Sequence, residues 1–499
     1  MNVPQNACFS FILSKEEIDS NPTKHLKIAE YTFSYDENTP IQTSSTEGRE
    51  IILFGLAVNV KNGISEHLAD VLLKGSRSVE DVIQLESWLG GKYLIIYADA
   101  TGCYLIPDAT ASIPILYTIS GNDLVCSSYA MPIINRLHIS PDPKLQKIRD
   151  SGEISQAMPY DVTCYREIKV LLPNHVLDCR TQSAKRFVNA AVRQSEITAE
   201  KAAEITAPYI ERIAAYYAAR YKLYCPITGG RDSRVALAYL DRECHNACKD
   251  LLCYTMRHSY HHGNEDDLVI PKQLAKVGHF RYEQIADEPG TSCVYNELDN
   301  LLGQGRYAKR TAVLADTIYK HYGDGAIVNG DIIGQVGKCS LHRDIPEALA
   351  TAAYFRCKVH NYAKETKAYL KDWIQDIHST DEHVNLFDLF SIESRMGRWA
   401  AQENTIYNIR GQHYLNIFNS RSIVYTWTSV PRKQRKTAAL QKALIRRVKP
   451  ELLDVPFETD HGLLIKISKA NGFFYYIGSR IKHVIGYMKF KAEHKKGQN

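Results

Sequence analysis

The stretch with the clearest chemical content is YCPITGGRDSRVALAYL, residues 224–240. A short apolar run enters Thr228-Gly229-Gly230, and a helix-forming segment begins at Asp232-Ser233. Two adjacent glycines let a backbone turn tightly and let a bulky anion approach its N–H groups. The helix that follows directs its positive end at the same place. Thr228 and Ser233 add hydroxyl donors. Asp232 is a carboxylate inside an anion site, which is sensible if it holds a magnesium ion that bridges phosphates. No Gly-Lys-Ser/Thr follows, so the spacing is not the Walker pattern. The plain alternative is that Gly-Gly at a strand-to-helix turn is only turn chemistry.

Position in a parallel sheet would give these residues their meaning. From about residue 196 strands and helices alternate. ITAEKAAEITAPYIERIAAYYAARYK reads as a long amphipathic helix opened by Thr198. KLYCPIT, DLLCYTM, FRYEQIA and GAIVNG read as strands, with helices at DSRVALAYLDRE and DDLVIPKQLAKVG and two more before GAIVNG. Such alternation implies parallel strands with crossover helices in a doubly wound sheet, which binds ligands at the carboxyl ends of its strands. Beyond residue 345 strand signals fade and the chain reads as largely helical. Residues 1 to about 190 read differently, as short β-rich runs (EIILFGLAV, KYLIIYAD, CYLIPDA, PILYTI, NDLVCSS) with helices at SEHLADVLLKG and SVEDVIQLESWL. That half is α+β with a substantial antiparallel sheet. The expected division is 1–195 and 196–499.

Bulk properties set the class. The 499 residues, with 44% hydrophobic and 23% charged side chains, suit a globular protein of two or three domains. A net charge of +5 makes no case for nucleic-acid binding. The 12 cysteines are irregularly spaced with no Cys-x-x-Cys, so they read as reduced core thiols in a cytoplasmic protein. No signal peptide and no run of apolar residues long enough to span a membrane is present. RIKHVIGYMKFKAEHKKGQN is basic and partly amphipathic; it reads as a solvated helix fraying into a polar end, ahead of a membrane-surface or RNA contact. His258, His261 and His262 in HSYHHGNEDD read as a polar loop at the mouth of the nucleotide site, because the spacing is not a clean metal-ligand pattern.

ITGGRDSR resembles the Ser/Thr-Gly-Gly-x-Asp-Ser signature of the pyrophosphate-loop ATPases, which release AMP and pyrophosphate. GNEDDLVIPKQLAKVG resembles the Asp-x3-Ala-x3-Ala helix of the asparagine synthetase family, with Asp267, Pro271 and Ala275 at the matching offsets. AIVNGDIIGQVGK lies where that family has its second glycine-rich loop, with Asp331 as its acid between Gly330 and Gly334. ESRMGRWAAQEN, with Arg395, Arg398 and Trp399 on one helical face, and VKPELLDVPFETDHG resemble the family's helical C-terminal part; packing or ion pairing explains the former equally well. WLGGKYLIIYADATGCYLIPDATASIPILYT resembles the sheet of its glutaminase-like domain. The resemblance covers all but the first 50 and last 20 residues.

The resemblance implies an α+β glutaminase-like sandwich followed by an α/β doubly wound ATP domain with a helical C-terminal part. It further implies an ATP-dependent ligase that adenylates a carboxylate and joins it to ammonia or an amine. ATP and Mg2+ would be held by Thr228, Gly229, Gly230, Asp232, Ser233 and Asp331, with Tyr254, Thr255 and Met256 nearest the adenine. The carboxylate could belong to a small molecule, a sugar acid or a peptide. A lysine near the end of the ATP domain would assist amide formation, and Lys449, Lys466 and Lys469 are near the expected place.

One departure matters. Glutaminases of this class use an amino-terminal cysteine whose own amine is the base. Here the first cysteine is Cys8, followed by Phe9 rather than glycine. The Arg-Gly-Pro-Asp and Asn-Gly-Glu stretches that hold glutamine are absent, so the first domain reads as a scaffold without glutaminase chemistry, like that of β-lactam synthetase and the lasso-peptide cyclases. The rival readings are a glutamine-dependent amidotransferase, a tRNA-modifying ligase or thiolase, and an inactive nucleotide-binding scaffold.

Overall fold

The structure is a computed structural model that describes residues 6–18, 24–119, 124–154, 157–189, 192, 195–257, 266–286, 309–338, 344–380, 384–458 and 471–496. His258, His261, His262, Lys466 and Lys469 lie outside the described residues.

The first half contains two six-stranded sheets with antiparallel pairing. In one, β1 (Phe11–Ser14), β2 (Lys24–Ile28) and β3 (Tyr31–Tyr35) join β8 (Leu116–Thr118), β9 (Val125–Ser127) and β10 (Ile168–Val170) in the order β10-β8-β9-β1-β3-β2. In the other, β4 (Ile41–Thr46), β5 (Arg49–Asn59), β6 (Leu89–Asp99), β7 (Gly102–Pro107), β11 (His175–Asp178) and β12 (Ser183–Arg186) run β12-β11-β7-β6-β5-β4. Alternate side chains serve different layers, as a period of two requires. Phe11, Leu13, Phe33 and Phe54 meet between the sheets, with Phe33 and Phe54 edge to face at 5.3 Å. Ile12 and Val125 face outward against helix Ala130–Leu137. Ile51, Leu53 and Ala57 face helices Leu68–Gly75 and Val79–Glu86. The result is four layers: helix, sheet, sheet, helix. Residues 11–46 supply four of the strands that carry few sequence signals.

Helix Ala199–Arg220 joins the halves. Thr198 caps it by accepting the Lys201 N–H, and its Ala and Ile positions share one core with both the sandwich and the following sheet. That sheet has five parallel strands: β13 (Leu223–Pro226), β14 (Leu251–Arg257), β15 (Arg281–Ala286), β16 (Ala326–Asn329) and β17 (His413–Asn416). Their order is β15-β14-β13-β16-β17. Leu223, Cys225 and Val328 face helices Ala199–Arg220 and Asp232–Asn246. Tyr224, Leu252 and Ile327 face helices Lys309–Tyr322 and Ala401–Ile409. Both faces are covered, so the sheet is doubly wound. The chain leaves β13 towards β14 on one side and returns to β16 on the other, which opens a crevice between the carboxyl ends of β13 and β16.

Among the described residues after 345, the regular elements are helices except for β17. The sequence run that holds Arg395, Arg398 and Trp399 is an 11-residue π-helix, Phe390–Ala400. A wider turn separates side chains that an α-helix would align. Arg398 is buried and donates to the carbonyls of Met158 and Val162. Arg395 lies over the Trp399 ring and within electrostatic range of Asp331. The expected single face is therefore split between a packing residue and one near the crevice.

Buried ion pairs lock the two halves. Arg421 pairs with Glu86 at 2.6 Å, both without solvent exposure, and also donates to Asn174 and to the carbonyls of Pro107 and Asp108. Arg186 holds Glu393, which also accepts from Trp373 and Asn174.

Candidate active site

The loop after β13 and the loop after β16 meet at the crevice. Gly229, Gly230 and Gly330 are all outside the left-handed region, so a positive φ is not why they are glycine. Close approach is the reason at two of them. A Cβ on Gly330 would stand 2.7 Å from the Asp232 carbonyl oxygen and 3.1 Å from the Ser233 nitrogen. One on Gly229 would stand 3.1 Å from the Asp266 carbonyl. At Gly230 the near atom among the described residues is Thr228 Oγ1, at 3.2 Å.

The first loop is held from behind. The Gly229 N–H donates to Asp267 Oδ1 at 2.9 Å, and the Glu458 N–H donates to the Gly229 carbonyl at 3.0 Å. Thr228 and Ser233 face each other, with the Thr228 N–H donating to Ser233 Oγ at 3.3 Å. Arg234 is fully buried beneath the loop and donates to the carbonyls of Leu452, Val455 and Pro456. Burial lowers its pKa to about 10. Its guanidinium also lies 4.2 Å from the Phe457 ring centroid. Arg234 thus fixes the segment that follows helix Ala439–Val448 against the loop. Helix Asp232–Asn246 starts after Arg231, which gives no side-chain acceptor to the first turn, so the amides of that turn are left to an external acceptor.

Two carboxylates face the crevice. Asp232 Oδ2 lies 3.4 Å from Lys338 Nζ, and Asp232 Oδ1 accepts from Gln441 Nε2 at 3.2 Å. Asp331 Oδ2 accepts from Asn329 Nδ2 at 2.6 Å, and Asn416 Nδ2 in turn holds Asn329 Oδ1 at 2.7 Å. Crowding by protein raises the Asp331 pKa to about 6, and the neighbouring Asp232 charge adds to this, while Asn329 and Arg395 oppose it. Asp331 is exposed, and the like charge of Asp232 beside it favours its protonated form. The second loop continues into a short π-helix, Ile333–Gly337, whose Gly334 packs against the Asp232 carboxylate. Arg435 anchors that turn by donating to the Val336 carbonyl while pairing with Asp388.

The two carboxylates suit magnesium, which takes one or two protein carboxylates and draws its other oxygens from phosphates and water. Among the described residues no group of three or more His, Cys, Asp and Glu forms a metal cluster, and none is needed for that coordination.

The other expected residues fall as follows. Tyr254 is buried under the sheet against Tyr322. Thr255 is also buried, with its hydroxyl given to the Ile227 carbonyl at 2.7 Å. Met256 is half-buried at the end of β14. Of the three, Met256 and the backbone are what β14 presents to a ligand. Lys449 pairs with Asp241, nine residues beyond Asp232 and so about 13 Å along the helix, away from the loop. Lys338 and Gln441 were not singled out by the sequence. Lys338 ends the quoted GQVGK run, and its spacing from Asp331 makes sense only once the π-turn is known.

Cys8 sits at the junction of the halves. Ala7, Cys8 and Phe9 are all buried, and Phe9 has a left-handed φ of 58°. The Cys8 amide donates to the Asn408 carbonyl at 3.0 Å, and its thiol points at the carbonyls of Asn408 and Gln412. Burial pushes the thiol pKa far up, with nearby Lys92 only partly opposing.

No protein-family model matches this chain, and no curated protein matches it. Among solved structures, an allosteric regulatory enzyme of purine biosynthesis is 9% identical, covering 57% of this chain and 75% of that one, at a TM-score of 0.24. Glutamine phosphoribosylpyrophosphate amidotransferase from B. subtilis, complexed with ADP and GMP, is 11% identical, covering 68% and 72%, at a TM-score of 0.23. Likeness this slight assigns neither fold nor activity.

Proposed function

We propose that the chain is an ATP-dependent carbon–nitrogen ligase that forms AMP and pyrophosphate, with residues 196–499 as its asparagine-synthetase-like ATP domain and residues 1–195 as a glutaminase-like scaffold. The observation that carries this reading is the meeting of Thr228–Ser233 and Asn329–Asp331 at the strand-order switch, with two carboxylates facing one crevice. The substrate carboxylate oxygen would attack the α-phosphorus of ATP, forming an O–P bond as the bond to pyrophosphate breaks. An amine or ammonia would then attack the acyl carbon, forming the C–N bond as the acyl C–O bond to the phosphate breaks, and releasing AMP and a proton to solvent.

The loop amides and the first turn of helix Asp232–Asn246 would bind the phosphates. Asp232 and Asp331 would hold Mg2+, which when bound neutralises charge on the phosphate oxygens. Lys338 is placed to exchange its contact with Asp232 for one with the leaving pyrophosphate. Thr228 and Ser233 would donate hydroxyl hydrogens to phosphate oxygens. Met256 and the β14 backbone would meet the adenine. The small-molecule, sugar-acid or peptide carboxylate would enter from the side of Arg395.

Two features of Cys8 support a first domain that does not hydrolyse glutamine: it is buried with its N–H given to Asn408, and the lone pair of its acylated nitrogen is delocalised and cannot take the thiol proton. The test is ATP–pyrophosphate exchange across a panel of carboxylates with magnesium. Exchange that appears with one class and is lost in a folded Asp232→Ala variant supports the reading. Exchange undiminished in that variant sinks it.

A further inference from the structure

Helix Gly472–Lys496 departs from the solvated tail that its sequence suggests. One face is docked: Tyr476 stacks on Tyr354 at 5.0 Å, and Tyr362 meets His483, Tyr487 and Phe490 at 5.0, 5.5 and 5.7 Å. The helix comes close at Gly486, where a Cβ would lie 2.4 Å from the Tyr362 hydroxyl. The opposite face is apolar and bare. Phe473, Ile477, Ile481, Val484, Ile485 and Met488 are between 37% and 64% exposed. At about 100° per residue these positions fall within an arc of about 120°. Elsewhere among the described residues large exposed apolar side chains occur only singly, at Ile64, Val71, Ile119 and Val269.

Charge identifies the occupant. Within residues 472–496 six Lys and Arg stand against Glu493 alone, a formal +5. The whole chain also carries +5, so the remaining residues sum to zero. By helical register Arg480 and Lys491 border the apolar stripe on one side, and Lys482 and Lys489 on the other. All four are exposed. A second copy would bring another +5 helix against this one, whereas an anionic bilayer complements the basic borders and takes up the apolar stripe. No described helix is long and apolar enough to cross a membrane.

We propose that helix Gly472–Lys496 seats the protein on an anionic lipid surface, lying in the interface plane with Phe473, Ile477, Ile481, Val484, Ile485 and Met488 buried among the acyl chains and its lysines at the headgroups. This inference does not depend on the ligase reading.

The experiment is co-sedimentation of the full chain with phosphatidylcholine vesicles, with and without phosphatidylglycerol. Binding should require phosphatidylglycerol. Lys482→Glu with Lys489→Glu should weaken it by at least about tenfold. Ile481→Asp with Ile485→Asp should abolish it while leaving the thermal midpoint unchanged, because these side chains touch no core. Equal binding to neutral vesicles would overturn the proposal, as would binding to neither. So would a concentration-dependent dimer that Ile481→Asp dissolves, or RNA retention without vesicle binding.

Discussion

Gly330→Ala probes the contact on which the candidate site is built. The added methyl would stand 2.7 Å from the Asp232 carbonyl oxygen and 2.8 Å from its carbon. Both are backbone atoms at the start of a helix, so no rotamer change relieves them. Ordinary contact needs a retreat of about 0.7 Å, and such overpacking costs about 1–3 kcal/mol. Unfolding entropy of roughly 2.1 cal/mol/K per residue over 499 residues is about 1 kcal/mol/K, so the melting temperature should fall by only about 1–3 °C. The effect on rate should be larger. Separating Asp331 from Asp232 by most of an ångström should slow ATP–pyrophosphate exchange by about 10- to 100-fold. Gly230→Ala supplies the contrast, since among the described residues its methyl meets Thr228 Oγ1 at 3.2 Å. It should leave the melting temperature within about 0.5 °C yet lower exchange, because the methyl occupies the place a phosphate would take. The reasoning is refuted if Gly330→Ala exchanges at the parent rate, or if Gly230→Ala is fully active.

Further outcomes are expected at other positions. Asp331 has a raised folded pKa, so the folded state holds its proton longer and stability falls as pH rises from about 4 towards 6; Asp331→Asn should therefore raise the unfolding midpoint at pH 7.5, lose that gain near pH 4, and abolish exchange. Arg421→Met leaves Glu86 buried and unpaired and should cost about 3–5 kcal/mol in urea unfolding, with part of the loss recovered when Glu86→Leu is added. Cys8 should resist alkylation by iodoacetamide in the folded protein while exposed Cys248 reacts, and glutamate release from glutamine should be undetectable. A chain whose mature form begins at Cys8 and loses glutaminase activity in Cys8→Ala would overturn that last expectation.

The sequence was most legible where local pattern and packing agree. The parallel strands at LYCP, LLCYTMR and AIVN are largely apolar runs between helices, the edge strand RYEQIA mixes polar and apolar residues, and Thr198 marks the joining helix through its cap. Strands β2 and β4 were not read because KHLKI and IQTSST carry few apolar residues, and β1 and β3 because runs of four and five residues give no clear period, with β1 paired to β9 far along the chain. Strand β17 was missed for the same reason, since four residues inside a helical region give no period. The candidate site was legible as residue types at Asp232 and Asp331, but the reason for Gly330 lies in a contact with a loop about a hundred residues earlier. The π-helices carry no sequence signature in a 3.6-residue period, so the split between Arg395 and Arg398, and the arrival of Lys338 at Asp232, emerge only in three dimensions.

The central claim is that Asp232 and Asp331 together receive the divalent metal of a bound nucleotide. Electron paramagnetic resonance titration of Mn2+ in the presence of ATP tests it without knowledge of the carboxylate substrate. The parent protein should bind one Mn2+ per chain only when ATP is present, and Asp232→Asn and Asp331→Asn should each lose that signal. Asp241→Asn, on the same helix but paired with Lys449, should retain it. Nucleotide-dependent Mn2+ binding that survives in the Asp232→Asn, Asp331→Asn double variant would contradict the account.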